Sequence, residues 1–263
     1  MATLKQTVRD IKTLKIQGSQ TTAEAALLAW AKAKDKQKAT KMLMATRPTE
    51  PMLFNALAAA NAGHNPHKLI NHFKLDKKHI AKIGAKLIHD GMAVFTHCHS
   101  STVVEILKEA KKQGKRFEVH NTETRPLYQG RITAKELANA GINVKHYVDS
   151  AAMVAMKKAD IFLFGADAIV NDGVYNKIGT EMFAEVASTY FKIPVYSCTH
   201  SWKFSQKPIV VEQRPASEIW KGVPKGIEVY NPAFELAEKK FITGIVSQLG
   251  IFSFKQFLRQ VKR

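Results

Sequence analysis

A cysteine flanked by two histidines is the first feature of this sequence that could carry chemistry. The stretch FTHCHSST, residues 95–102, places Cys98 between His97 and His99, after an apolar run and before a stretch of helical character. Adjacent residues of a strand point to opposite faces, so one zinc ion would not collect all three side chains, and the pattern disfavours a metal site. Two interpretations stay open: a small buried side chain, or a thiolate whose pKa is lowered by the N-terminus of the following helix.

Other polar residues follow apolar runs in the same way. Asp167 ends DIFLFGAD, where a carboxylate could be a cap, a structural acceptor, or a general acid or base. Asn176 and Lys177, in VYNKIGT, are expected to open a helix, where an amide and a cation suit an anion but also fit an ordinary helix start. Arg47 and Arg125 each precede a proline, which holds the arginine backbone extended. Together these residues suit a phosphorylated substrate.

The pattern of apolar and polar residues changes near residue 90. Before it, stretches rich in Ala, Lys and Leu predict helices, one capped by Thr21 or Thr22 and another by Asp76. After it, the apolar runs MAVFTH, FEVHN, INVKHYV, DIFLFGAD and IPVYSC alternate with helical stretches. This alternation predicts an α/β fold, with an N-terminal helical domain over 1–90 and a Rossmann-like parallel sheet, helices on both faces, over 91–263. Ligands of such sheets bind beyond the carboxyl ends of the strands, where the polar residues would converge.

Composition narrows the classes of function. The 263 residues carry 40 Lys and Arg against 22 Asp and Glu, a net charge of +18. The lysines are scattered and no aromatic-interleaved RNA-binding motif occurs, so the charge favours solvated surface and attraction of phosphorylated substrates over nucleic acid. Two cysteines do not make a disulfide framework, and MATLKQTVRD lacks the apolar core of a signal peptide. A cytoplasmic protein with no membrane span is expected.

Four segments in a fixed order resemble one superfamily. They are HCHSSTV, TETRPLYQGRITAKELANAGINVKHYVDSAA, GADAIVNDGVYNKIGT and VPKGIEVYNPAF. The superfamily comprises sugar-phosphate isomerases that convert an aldose 1-phosphate to a ketose 1-phosphate, and the regulatory subunits of the eukaryotic initiation-factor nucleotide-exchange complex. Within it the chain looks most like the archaeal-type ribose-1,5-bisphosphate isomerases, most strongly from Arg47 to Phe234.

The resemblance implies a role for particular residues. Catalysis falls on Cys98, which would move a proton from C2 to C1 of the sugar, and on Asp167, which would protonate the ring oxygen. The chemistry would need neither a metal nor a redox cofactor. Substrate-binding residues implied by the family pattern are Gln17, Gly18, Ser19, Arg47, Ser100, Ser101, Gln129, Asn176, Lys177 and Lys203.

The chain departs from the family pattern in three places. Residues 17–20 read Gln-Gly-Ser-Gln where the isomerases have an Arg-Gly-Ala-Gly phosphate loop. Ser101 stands where the ribose bisphosphate enzymes have a lysine, and NPAF continues as ELAEKK instead of an aspartate-led turn. Two missing cations bear on substrate affinity and identity more than on the catalytic pair.

Three functions are therefore kept in view. The first is a ribose-1,5-bisphosphate isomerase of nucleoside salvage from AMP. The second is a 5-methylthioribose-1-phosphate isomerase, which needs an apolar pocket in place of one phosphate site. The third is a regulatory, nucleotide-binding protein, which the +18 charge favours and the presence of Cys98 and Asp167 opposes. The resemblance also implies a homo-oligomer, a dimer or a trimer of dimers, and AMP as an effector.

Overall fold

The structure is a computed structural model that describes residues 3–48, 50–207, 209–211 and 213–262. The α-helices are α1 Leu4–Lys12, α2 Ser19–Lys32, α3 Lys36–Met44, α4 Pro51–Asn61, α5 Pro66–Ala85, α6 Ser101–Lys112, α7 Gln129–Asn139, α8 Ala152–Met156, α9 Thr180–Glu185 and α10 Phe254–Val261. The strands are β1 Ala93–Thr96, β2 Glu118–Thr122, β3 Asn143–Tyr147, β4 Ile161–Phe164, β5 Ala168–Val170, β6 Gly173–Lys177, β7 Val195–Cys198, β8 Phe234–Glu238, β9 Gly244–Ser247 and β10 Gly250–Phe252.

A seven-stranded sheet in the order β10-β9-β7-β4-β1-β2-β3 organises the C-terminal part of the chain. The pairs are parallel apart from the edge pair of β10 with β9. The chain runs outward from β1 through β2 and β3, then crosses back to β4 and continues to the other edge. The strand order therefore reverses between β1 and β4, and this switch point opens a crevice at the carboxyl edge of the sheet. The predicted α/β fold is confirmed.

A second sheet, of three antiparallel strands in the order β5-β6-β8, was not predicted. It follows β4 and carries the sequence around Asn176 and Lys177, which was expected to begin a helix. That prediction is wrong because Gly179, with φ of 99°, delays the helical turn, and α9 starts only at Thr180. Residues 173–177 instead pair along their whole length with β8.

Side chains of the central strands alternate between two cores, as a strand period of two requires. Phe95, Phe162 and Phe164 enter the core beneath α8, α9 and α10. Val94 and Leu163 point the other way, into the core formed with α6 and α7. Because both faces are covered, these strands read as continuous apolar runs, which is typical of a parallel sheet.

The N-terminal helices form a third core, and α5 joins it to the sheet. Leu69, Ile70 and Phe73, in the first half of α5, pack with α2, α3 and α4, whereas Ile80 and Ala85, in its second half, pack against α6. One helix thus belongs to both cores. The division of the chain at residue 90 stays a prediction, and its outer limits, residues 1 and 263, lie outside the described residues.

Two helix boundaries differ from those predicted. Helix α2 begins at Ser19, before Thr21 and Thr22, because Gly18 takes φ of 85° just ahead of it. Asp76 is not a cap but lies buried inside α5, which begins at Pro66 with Asn65 accepting bonds from two backbone N–H groups. An asparagine followed by proline is a strong start signal for a helix. None of the helices in the described part of the chain has the length and apolarity needed to span a bilayer.

The turn from β2 into α7 requires a residue without a side chain at position 130. A Cβ added to Gly130 would lie 1.7 Å from the carbonyl oxygen of Thr122. We expect Gly130→Ala to lower the free energy of unfolding by about 1–3 kcal/mol, the usual cost of overpacking. Asn139→Ala, at the exposed far end of the same helix, serves as the control and should change it by less than about 0.5 kcal/mol. Urea unfolding measures both, and equal stabilities of the two variants would contradict the close approach.

Candidate active site

A cavity of about 410 Å³ opens at the switch point, beyond the carboxyl ends of β1 and β4. The residues predicted from the sequence to form the site all line it. They are Gln17, Gly18, Ser19, Arg47, Cys98, Ser100, Ser101, Gln129, Asp167, Asn176, Lys177 and Lys203. The fold therefore brings together residues from the N-terminal helices, the sheet edge and the second sheet. Arg125 lies outside this lining, with its guanidinium hydrogen-bonded to the Tyr128 hydroxyl at 2.7 Å.

Cys98 follows β1 in a left-handed backbone conformation, with φ of 66°. Its N–H donates to Thr124 Oγ1 at 3.0 Å, and its carbonyl accepts from Thr133 Oγ1 at 2.9 Å. These two bonds from the β2–α7 region hold a backbone geometry that side-chain-bearing residues seldom adopt. The cysteine is thereby placed between β1 and α6, and its thiol faces the cavity.

Burial raises the pKa of the Cys98 thiol to about 12. The Lys177 ammonium and the backbone N–H of His99 oppose this rise, while the Asp167 carboxylate adds to it. The His99 N–H and the Lys177 charge lower the pKa, as the thiolate interpretation requires, but desolvation of the thiolate outweighs both. The resting form of Cys98 is a neutral thiol.

His97 is a buried link between the two sheets. Its Nε2–H donates to the Ile178 carbonyl at 3.0 Å, and its Nδ1 accepts from the Thr122 hydroxyl at 2.6 Å. Both nitrogens are used by the neutral ring, and burial lowers the pKa of His97 to about 4. The imidazole thus ties the end of β1 to the segment just after Lys177. Sequence reasoning treated His97 only as a neighbour of the cysteine, and no local signal marked this role.

Asp167 lies three residues beyond β4, next to Lys203. The Asp167 N–H donates to Tyr175 O at 2.8 Å, which joins it to the second sheet. Lys203, in the short 3₁₀ turn Ser201–Lys203, donates from Nζ to the Ala166 carbonyl at 2.6 Å. Burial lowers the pKa of Lys203, and the Asp167 carboxylate opposes that shift. The structure therefore places a carboxyl group and an amine in the lining of one cavity.

Asn176 and Lys177 reach the cavity from the end of β6. The Asn176 amide donates to Thr180 Oγ1 at 2.9 Å, and this bond orients the Asn176 carboxamide. The Lys177 ammonium lies 5.7 Å from the centre of the Phe234 ring. Lys177 and Cys98 line the same cavity, and the Lys177 charge lowers the pKa of Cys98 and of His97.

The loop at residues 17–20 offers backbone and hydroxyl groups but no cation. The Gln17 amide turns back and donates to the Leu14 carbonyl at 2.6 Å. Arg47, on the neighbouring wall, pairs with Glu50 at 2.9 Å. Within the described residues, the buried Ser19 Oγ and Gln129 Oε1 have no hydrogen-bond partner, so each can bind a polar molecule in the cavity.

Several lining residues were missed by sequence reasoning. Lys77, His200 and Arg214 are polar, and the apolar ones include Leu14, Leu127, Ile132 and Phe234. No sequence pattern marked Lys77 as a site residue, because it is one of several lysines on a long basic helix. His200 donates from Nε2 to Asp76 at 2.8 Å, a contact between residues 124 positions apart that no spacing rule could reveal. Among the described residues, no group of three or more His, Cys, Asp or Glu side chains is placed to hold a metal ion.

Comparisons with known proteins agree with this architecture. The Initiation factor 2 subunit family matches residues 3–254, and the chain belongs to this family. The ribose 1,5-bisphosphate isomerase of Thermococcus kodakarensis is 37% identical to it, over 83% of this chain and 77% of that protein.

Solved structures also show that the chain shares its fold with members of this superfamily. The translation initiation factor eIF-2B of Pyrococcus horikoshii has a TM-score of 0.81 at 27% identity, over 95% of this chain and 96% of that one. The 5-methylthioribose 1-phosphate isomerase of the same organism has a TM-score of 0.78 at 26% identity, over 99% and 87%. The superfamily resemblance inferred from the four sequence segments is confirmed.

Two substitutions should move the reactivity of Cys98 in opposite directions. Asp167→Asn removes a charge that raises the thiol pKa, so iodoacetamide should alkylate Cys98 faster at mildly alkaline pH. Lys177→Met removes a charge that lowers it and should slow alkylation. In the unchanged site the rate should keep rising with pH towards about 12. Mass spectrometry in a Cys198→Ala background measures the rates, and a plateau near neutral pH would contradict the buried thiol.

Proposed function

We propose that the protein is an aldose–ketose isomerase that converts ribose 1,5-bisphosphate to ribulose 1,5-bisphosphate. The observation that carries the proposal is the placement of Cys98 and Asp167 after the adjacent strands β1 and β4, in one cavity lined by basic and amide side chains. The curated relatives named as ribose 1,5-bisphosphate isomerases, 34–37% identical over most of this chain, support the choice of reaction.

In this proposal Asp167 and Cys98 divide the proton transfers. Protonated Asp167 gives its proton to the ring oxygen as the ring C1–O bond breaks, and Cys98 as thiolate removes the proton from C2. Cys98 then returns that proton to C1, and the Asp167 carboxylate takes the proton of the 2-hydroxyl as C2 becomes a ketone. Each group ends as it began, so the sum is an isomerisation.

The electrostatics of the pair suit this division. A thiol with a pKa of about 12 is a strong base once it is ionised, which abstraction from carbon requires. Because the Asp167 carboxylate raises that pKa, protonation of Asp167 favours the thiolate, and the two active forms coincide. Lys177 further stabilises the thiolate and would hold the developing charge on the substrate.

The remaining predicted residues are proposed to orient the substrate. Asn176 and Lys177 would hold one end of the sugar. Arg47 and Lys203 would bind its hydroxyls and phosphate oxygens. The unpaired Ser19 hydroxyl and Gln129 carbonyl oxygen are ready acceptors or donors for such groups. Gly18 presents backbone next to the start of α2, and Ser100 and Ser101 do so at the start of α6, where N–H groups favour an anion. Gln17 is proposed as a neutral neighbour of the phosphate.

A methylthioribose-1-phosphate isomerase is the second candidate. The apolar side chains of Leu14, Leu127 and Ile132 line the cavity, and a methylthio group would find a suitable surface there. The basic residues on the other walls suit a second phosphate better. A regulatory nucleotide-binding protein is the third candidate, and its site would need no catalytic pair.

We also propose the source of the substrate, the location of the enzyme, its effector and its assembly. Nucleoside salvage from AMP would supply the substrate, in the cytoplasm, with AMP as an effector. The exposed apolar side chains of Val148, Met153 and Val154, which lie close together in the sequence, support a homo-oligomer. An N-terminal helical domain over 1–90 and a catalytic domain over 91–263 complete the proposal.

Turnover by purified protein tests the reaction. Wild type should isomerise ribose 1,5-bisphosphate, and Cys98→Ser and Asp167→Asn should each lower kcat by at least about 10²-fold, as for loss of a positioned acid or base. Cys198→Ala, at a buried thiol outside the cavity lining, is the control and should keep kcat. Product formation is followed by ³¹P NMR.

Three results would redirect the assignment. Turnover of methylthioribose 1-phosphate but not of the bisphosphate would favour the second candidate. Binding of AMP without turnover of either sugar would favour the regulatory one. Full activity of Cys98→Ser would refute the proposed base.

A further inference from the structure

Lys77 is a cation of the cavity for which the described part of the chain supplies no ion-pair partner. It lies on α5, its side chain is half-buried, and it lines the cavity. Within the described residues its ammonium group makes no hydrogen bond and no ion pair. No feature of the sequence or of the family resemblance assigns it a role.

The turn of α5 that bears Lys77 is fixed in place. The carboxylate of the preceding residue, Asp76, accepts from His200 Nε2 at 2.8 Å. One turn earlier, the Phe73 ring meets the Trp202 ring edge-on, with centroids 5.0 Å apart. These contacts hold α5 against the Ser201–Lys203 turn, so Lys77 stands on a rigid element beside Lys203. A group held in this way loses little freedom when a ligand binds.

Lys77 belongs to a cluster of basic side chains that line the cavity together, with His99 and Lys203. The charge of Lys77 opposes protonation of the other two and so lowers the pKa of His99 and of Lys203. Like charges at close range are unfavourable unless an anion lies between them. The cluster therefore points to a bound anion.

The other cations of the cavity have carboxylate neighbours, with one exception. Arg47 pairs with Glu50, Arg214 with Glu218, and Lys203 lies near Asp167. This leaves Lys177, which acts on Cys98 and His97, and Lys77, which acts on a different pair of groups. Two uncompensated cations with different neighbours match a substrate that has a charged phosphate at each end.

We infer that Lys77 binds one phosphate of the sugar bisphosphate and selects bisphosphates over monophosphates. The inference rests on the proposed function. It also explains how the site keeps its charge although Gln17 donates its amide to Leu14 and supplies no cation. Lys177 then serves the other phosphate, near Cys98.

Three variants test the inference. Lys77→Met keeps the length and removes the charge, Lys77→Arg keeps the charge, and Lys78→Met changes the exposed neighbouring lysine as the control. Lys77→Met should raise KM for ribose 1,5-bisphosphate about ten- to a hundredfold, the value of a charge-assisted hydrogen bond. The kcat should change little, because the same contact is made in the ground state and the transition state. Lys77→Arg and Lys78→Met should resemble wild type.

Calorimetric titration makes the test independent of turnover. Ribose 1,5-bisphosphate, ribose 1-phosphate and ribose 5-phosphate are titrated into each protein, with thermal unfolding as the check on folding and Lys77→Gln as a replacement if Lys77→Met unfolds. Lys77→Met should bind the bisphosphate and one monophosphate about tenfold or more weakly, and the other monophosphate unchanged. The affected monophosphate identifies the end that Lys77 holds.

The outcomes separate the inference from the proposed function. Normal turnover by wild type with equal affinities for Lys77→Met and Lys78→Met would overturn the inference alone. Lys77-dependent binding of the bisphosphate without turnover would support the inference and overturn the proposed isomerase. Failure of wild type to bind any of the three sugars would overturn both.

Discussion

The neutral imidazole of His97 joins two sheets that each supply half of the candidate site. Its Nε2–H bonds to the Ile178 carbonyl behind β6, and its Nδ1 accepts the Thr122 hydroxyl at the end of β2. Cys98 is the next residue on one side of this link, and Lys177 precedes Ile178 on the other. The placement of Lys177 relative to the thiol is therefore fixed through a ring that burial keeps uncharged. Protonation would turn Nδ1 from an acceptor into a donor, and the Thr122 hydroxyl would have to reverse its role in this bond.

The strand order brings together site residues that lie far apart along the chain. The reversal of strand order between β1 and β4 puts the loops after them side by side, although Cys98 and Asp167 are far apart in sequence. The second sheet then folds across the same opening and brings in Asn176. Helix α5, anchored through Asp76 to His200, closes the remaining side. The cavity thus has walls from three cores, and motion of any one core would change its width.

The parallel sheet and the strand-end residues Cys98 and Asp167 could be predicted because both follow from short-range patterns, whereas Gln17, Gln129 and Lys203 were implied only by the family resemblance. Apolar runs that end in Cys98 or Asp167 mark strand ends, and strand ends of one parallel sheet share an edge. The patterns failed where a contact crosses the chain. Nothing near Lys177 shows that residues 173–177 pair with β8 to form a second sheet, and nothing near Asp76 shows His200. The two interpretations of Cys98 stayed open for a related reason: the start of a helix is visible in sequence, whereas the depth of burial, which raises the thiol pKa, is not.

The left-handed backbone of Cys98 has a consequence for how this position can change. A residue with a side chain pays about 1–2 kcal/mol for φ near 66°, whereas glycine pays almost nothing. Glycine at position 98 would relieve this backbone strain but would leave the cavity without the proposed base. The strained conformation is therefore a cost in stability that is tied to keeping a thiol at the end of β1.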